Sequence, residues 1–249
     1  MDRKIIKKYF KKFPKWTLLF ILIGILSLLV GVGGESGGVI AFGLLFAAVG
    51  IVFLVLYIKG KPTDGQFDAI LQNDLKAVQK CALKKLGIDE SELIRLDPDI
   101  VTGYVFGRAD CFFGMKKGKD GVIRHTPQTL LVLNYTQNQI LTYSCVLDLD
   151  GGKFLSAQTE EFFYKDIVSV KTKSEDSEET IKEKGQMKKI KTNREIFCLT
   201  NTGGESLTVP FASSAFADIL GENGTLRSKE MAEKALNNIR RMLRDKKAN

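Results

Sequence analysis

Four cysteines and one histidine are the residues of this 249-residue chain best suited to metal binding or nucleophilic chemistry. Their spacing argues against both. Cys81, Cys111, Cys145 and Cys198 stand far apart with no Cys-x-x-Cys pair, and His125 is alone, so the spacing of a Cys/His zinc site is missing. No Gly-x-Ser-x-Gly, P-loop or His-Glu-x-x-His occurs. An enzyme needs a nucleophile with a base, paired carboxylates in a cleft, or a metal, and none of these is written here. The expectation is a non-enzymatic protein with no cofactor and no metal, whose cysteines are reduced core thiols. His125, between Arg124 and Thr126, reads as a strand-surface residue.

Cations are the other chemistry on offer. Lys116, Lys117, Lys119 and Arg124 gather around the turn Gly118-Lys119-Asp120-Gly121, where a cluster of this kind can attract an anionic lipid headgroup or simply stay solvated. Residues 1–15 hold seven basic residues against one acid, Asp2. Within that arm Ile5, Ile6, Tyr9, Phe10 and Phe13 recur at helical spacing among Lys4, Lys7, Lys8, Lys11 and Lys12, and Pro14 follows. This reads as a basic amphipathic helix suited to an anionic leaflet, with a pure orientation signal as the alternative. Because most of the net charge of +8 sits in this arm, a nucleic-acid partner is not expected.

The elements that position these groups divide the chain sharply. Residues 16–58 contain no basic residue and one acid, Glu35. The apolar runs Trp16–Val32 and Val39–Ile58 reach roughly 25 and 30 Å at about 1.5 Å per residue, enough to span a bilayer as helices. Gly33-Gly34-Glu35-Ser36-Gly37-Gly38 connects them, so the pair reads as a transmembrane hairpin. A cleaved signal peptide is the competing reading, but no small-x-small site precedes the second run. Lysines before the first span, and Lys59 and Lys61 after the second, place both termini in the cytoplasm by the positive-inside rule. The expected location is the cell membrane, multi-pass. Neither span carries an ionisable group, which makes the hairpin an anchor rather than a transporter. Gly24 and Gly31, and Gly43 and Gly50, repeat every seven residues, so an antiparallel pair sets Gly24 level with Gly50 and Gly31 with Gly43 as a close-packed seam.

Residues 59–99 read as a juxtamembrane helix and linker. The periodicity of Phe67, Ile70, Leu71, Leu75, Val78, Ala82 and Leu86 predicts a helix over about 65–86, with Asp64 as N-cap and Gly87 as stop. Residues 100–249 form the cytoplasmic domain. Strand patterns appear at 100–106, 122–135, 139–149, 153–164, 166–172, 195–201 and 205–211, with glycine-rich turns at 118–121, 150–152 and 202–204. Lys173 to Lys189 reads as a long mobile charged loop. A helix from Ser228 to Lys246 with a stripe of Ala232, Ala235, Leu236, Ile239 and Leu243 ends the chain. The fold class is thus a membrane helical hairpin plus an α+β domain, an antiparallel barrel or sandwich of about seven strands with a C-terminal helix.

Local text adds a resemblance. Leu130-Leu131-Val132-Leu133-Asn134-Tyr135-Thr136 with Gln139-Ile140-Leu141-Thr142-Tyr143, and Phe163-Tyr164-Lys165-Asp166-Ile167-Val168-Ser169-Val170, resemble segments of bacterial pleckstrin-homology-like (PH-like) domains attached to membrane anchors. The resemblance covers about residues 100–246 and implies the PH superfold. The tryptophan typical of the C-terminal helix in eukaryotic members is missing. It also implies that Lys116, Lys117, Lys119 and Arg124 lie where lipid-binding members hold phosphoinositides, although Thr126 stands at the last basic position. The expected function is a membrane-anchored scaffold that presents its domain to a protein partner. The alternatives are anionic-lipid recognition and homo-oligomeric assembly through the helices.

Overall fold

The computed structural model describes residues 2–95, 97–183, 186–214 and 223–247. The chain separates into two units, Asp2–Phe67 and Asp68–Asn249.

The first unit is helical. Helix α1 (Lys4–Phe10) is followed by α2 (Trp16–Gly33), α3 (Gly37–Lys59) and the beginning of α4 (Asp64–Leu86). α2 and α3 are each long and apolar enough to cross a membrane. The turn between them is closed by the Ser36 amide, which donates to the Gly31 carbonyl at 3.0 Å. Gly24, Gly31, Gly43 and Gly50 are all buried between the two helices. Their register differs from the level pairing read from the sequence. A Cβ on Gly24 would lie 2.6 Å from Ala47, one on Gly31 2.7 Å from Ile40, one on Gly43 2.9 Å from Leu28, and one on Gly50 2.6 Å from Ile21. Each glycine therefore receives a larger residue of the facing helix, and Gly43 also meets the Gly24 carbonyl. Two opposed glycines would leave a void, whereas a side chain seated on a bare backbone fills it.

Helix α1 forms within the basic arm, and part of its apolar side is buried. Ile6 and Tyr9 are fully buried. The Tyr9 hydroxyl donates to Asp64 at 2.7 Å, and the Tyr9 and Phe10 rings meet Phe67 at 4.9 and 5.6 Å. Phe13 meets Tyr57 edge-on at 5.2 Å. The apolar side of the arm is thus used in packing, because aromatic rings find partners at the end of α3 and the start of α4. Asp64 is not the cap of α4. Thr63 takes that place in a reciprocal box: its hydroxyl accepts from the Gln66 amide at 3.3 Å, and Gln66 accepts from the Thr63 amide at 2.9 Å.

The second unit contains the rest of α4, nine strands among the described residues, and α5 (Asn223–Lys247). Gly87, with φ of +67°, ends α4, and Ile88 donates back to Leu83 as a Schellman closure requires. All strands pair antiparallel. A four-stranded sheet runs in the order β1 (Asp99–Tyr104), β4 (Gln128–Tyr135), β5 (Gln139–Asp148), β6 (Lys153–Phe163). β2 (Gly114–Lys117) and β3 (Ile123–Thr126) form a separate ribbon. β7 (Ile167–Glu183), β8 (Gln186–Asn201) and β9 (Ser206–Ser213) make the third sheet. The layout is α+β, and the three sheets do not close into a barrel.

The inner face of the four-stranded sheet, with Val101, Leu131, Leu133, Tyr135 and Ile140, packs on Phe197, Leu199, Val209 and Phe211 of the third sheet. Ala232, Ala235, Leu236 and Ile239 of α5 complete that core. Buried Asp99 fastens α5 to it, accepting from Tyr135 at 2.7 Å, Asn238 at 2.8 Å and Arg95 at 2.6 Å. β4 is buried on both faces, which explains its unbroken apolar run. Where β1 approaches β9, a Cβ on Gly103 would overlap the Pro210 carbonyl, so glycine permits the two backbones to meet.

Two strand assignments change. The run at 122–135 splits at Pro127, which has no N–H for a ladder, and its halves join different sheets with Gly114–Lys117 as an additional strand. The charged stretch 173–189 is the outer part of the β7–β8 hairpin rather than a loop, with residues 184 and 185 outside the described residues. Glu175 stands opposite Arg194 and Glu178 opposite Lys191, so acidic and basic halves complement each other across the ladder.

Candidate functional site

The β2–β3 ribbon carries the cations singled out in the sequence. Lys116 stands directly opposite Arg124, and Lys117 opposite Ile123. Arg124 differs from the three lysines, being 4% exposed. Its guanidinium grips Asp68 of α4 at 2.6 and 2.8 Å and Asp120 at 2.7 and 2.9 Å. Those bonds hold the Asp120 carboxyl well below the usual carboxylate range. Arg124 therefore ties the ribbon to α4 and is not presented to an external anion. Lys117 and Lys119 are exposed and Lys116 is half-buried. In the helical unit Lys4, Lys7, Lys8, Lys11 and Lys12 are exposed, while Phe10 is turned inward.

The thiols and the imidazole are partly or fully withdrawn from solvent. Cys145 and Cys198 are buried, Cys81 and Cys111 half-buried, and none is in a disulfide. Burial pushes the Cys145 thiol up to about 12 and raises Cys111 and Cys198 as well. His125 is buried instead of lying on the strand surface, with its ring 4.3 Å from that of Tyr104 and its Nδ1 3.2 Å from the Pro127 carbonyl. Burial lowers its pKa to about 4, so the imidazole is neutral. Among the described residues, no group of three His, Cys, Asp or Glu is placed to hold a metal ion.

One feature of the domain was not read from the sequence. A cleft of about 310 Å³ opens between the four-stranded and three-stranded sheets. Its apolar walls include Tyr104, Phe106, Val146 and Pro210, and its polar wall includes Arg108, Glu179 and Arg194. Arg108 is firmly paired. It donates to Asp110 at 2.7 and 2.9 Å and to Ser156 at 3.0 Å, and this pairing lowers Asp110 to about 2. Arg194 is not. Its Nη2 donates to Glu175 at 3.3 Å, its Nη1 lies 3.6 Å from Glu179, and its buried Nε has no hydrogen-bond partner. Charge-assisted bonds ordinarily measure about 2.7–2.9 Å, so this cation is held loosely. Burial raises the Glu179 carboxyl, with Arg194 acting in the opposite direction. The cleft escaped the sequence because Glu179 and Arg194 lie in the stretch read as loop and at its margin. Only the pairing of β7 with β8 brings them to one face.

The sequence matches no protein-family model, and no curated protein and no solved structure matches the chain. The site therefore rests on its own geometry.

Proposed function

We propose that this protein is a membrane-anchored binding module, non-enzymatic, whose α2–α3 hairpin holds a cytoplasmic domain available to a protein partner. The observation that carries the reading is the apolar surface of the hairpin. Of the twenty-three large apolar side chains exposed among the described residues, nineteen lie between Trp16 and Ile58. An uninterrupted apolar surface of that extent is stable only when hydrocarbon or another protein covers it. The lysines that flank the hairpin put both termini on the cytoplasmic side.

Two packed sheets with a C-terminal helix in the core are compatible with the PH-like resemblance, which suggests binding rather than catalysis. The buried, neutral His125 and the raised thiols supply no nucleophile–base pair. A partner protein is favoured over anionic lipid because Arg124 is already committed to Asp68 and Asp120. The test uses the full chain in nanodiscs of zwitterionic lipid. Carbonate-resistant membrane association and stoichiometric, salt-resistant capture of a partner protein are expected. Binding that demands anionic lipid and disappears at high salt would overturn the reading in favour of headgroup recognition, since exposed charges are screened within about 8 Å at physiological ionic strength.

A further inference from the structure

We infer that the free edge of β7 pairs antiparallel with the same edge of a second copy of this chain, about a twofold axis at Ser174. The two three-stranded sheets then become one. This contact is distinct from the partner reading above and does not rest on it.

The edge is open. β7 ends its sheet with β8 as its one neighbour, and among the described residues no hydrogen bond joins the backbone of residues 169–179 to any other element. Such an edge presents unpaired N–H and C=O groups, a template for another strand. β7 is also long, 17 residues against the usual run of about 5–6. β9 pairs with β8 only from Arg194 to Thr200, so among the described residues 176–183 and 186–193 form a ribbon of two strands. Two strands alone are marginally stable in water, and a third supports them. The register shift of β7 lies at its start, between Ile167 and Ser169, and no proline follows it in the strand. Toward the other end the loop after β1 reaches the ribbon, where a Cβ on Gly107 would stand 3.4 Å from the Thr180 carbonyl. Residues 169–179 are left as the open stretch.

Charge selects the occupant. Along this stretch Lys171 and Lys173 come first, and Glu175, Asp176, Glu178 and Glu179 follow. Antiparallel pairing of two identical strands sets the basic part of each against the acidic part of the other. Opposed side chains share a face, so the axis passes through a residue. With Ser174 on the axis, Lys173 stands opposite Glu175 of the second copy, and Glu175 opposite its Lys173. Within one strand Lys173 already bonds Glu175 at 2.8 Å, so four side chains alternate in sign around a square. The β8 neighbour of Lys173 is Ile196, so no charge on β8 stands across from this lysine. The next opposed pairs, Thr172 with Asp176 and Lys171 with Ser177, contain no like charges.

Every other centre between Lys171 and Glu179 fails. Lys173, Glu175, Asp176 or Glu178 on the axis meets itself; Thr172 there opposes Lys171 to Lys173, and Ser177 opposes Asp176 to Glu178. Like charges directly opposite are destabilising. One register of an isologous dimer therefore remains.

The experiment reconstitutes the full chain in zwitterionic liposomes with a short thiol-specific cross-linker. The half-buried Cys81 and Cys111 set the baseline in the unmodified chain. Ser174→Cys should cross-link to itself well above that baseline. Thr172→Cys and Asp176→Cys should cross-link to each other when mixed, and neither to itself. In the Ser174→Cys chain, adding Lys173→Glu turns both attractive pairs repulsive and should lower cross-linking at least about tenfold. Lys171→Glu makes the same charge change opposite Ser177 and should alter it less than about twofold. Both lysines are exposed, so the melting temperature should not move. Position 174 at baseline, self-cross-linking at 172 or 176 equal to that of the mixture, or equal effects of the two lysine changes would each overturn the assignment.

Discussion

In the α2–α3 hairpin the glycines lie inside and the largest apolar side chains outside; among the described residues of 68–249 that order is reversed. Gly24, Gly31, Gly43 and Gly50 are buried while Leu29, Val30 and Val32 are about two-thirds exposed. In the domain Leu131, Leu133 and Phe197 are fully buried, while Lys171, Lys173, Asp176 and Glu178 of β7 and Lys189 and Lys191 of β8 are exposed. With the hairpin in a membrane, as proposed above, the same chain obeys two packing rules. In water, burying large apolar groups drives assembly. In hydrocarbon that drive vanishes between helices, and close backbone approach through small residues takes its place.

The contrast can be broken from either side, and the largest effect is expected in the domain. Phe197→Ala removes a fully buried ring from the shared core and should cost about 3–5 kcal/mol, measured by urea unfolding. Leu22→Lys, on the outer face of α2, should weaken membrane insertion by about 3 kcal/mol, read by carbonate extraction. Unchanged insertion would mean that this face does not lie in hydrocarbon.

Acid titration probes the domain core. Unfolded His125 titrates near 6.5 and the buried residue near about 4, so the depressed native pKa contributes stability that is complete above about 6.5 and lost as pH falls through about 4. The loss attributable to this group is about 3 kcal/mol. His125→Leu should flatten the fall in melting temperature across that window.

Gly24→Leu should loosen the helix pair by about 1–3 kcal/mol, seen as weakened cross-linking between cysteines placed beside the seam. Gly33→Leu, with nothing near its Cβ position, should leave cross-linking unchanged. The smallest effect sharpens the comparison most. Val168→Lys replaces a side chain as exposed as those of the hairpin, 61%, yet should shift domain stability by no more than about 0.5 kcal/mol. Two comparably exposed apolar residues would then respond to the same substitution to very different degrees.

Much of this was legible in the residues. The two long apolar helices, α4, the C-terminal helix stripe and all three glycine-rich turns follow from hydropathy, period and turn chemistry, which are local properties. What the sequence concealed was set by pairing at a distance. Glu175, Asp176, Glu178 and Glu179 look like a solvated tract until Lys189, Lys191 and Arg194 are laid across from them. Arg124 looks like one more surface cation until Asp68, fifty-six residues earlier, is brought to it. The glycine spacing was visible, but whether glycine meets glycine or a larger residue depends on the vertical offset of the helices, which no single helix encodes.

That offset has a mechanical meaning. Four sockets spaced along two antiparallel rods, each occupied by a tooth from the other, form a rack that cannot be advanced by one notch. A slide that set Gly24 level with Gly50 would lift Ala47 and Ile21 out of their glycines and leave bare backbone facing bare backbone. A pull on either end of the hairpin is therefore shared by both helices as by a single strut, up to the load that strips the teeth.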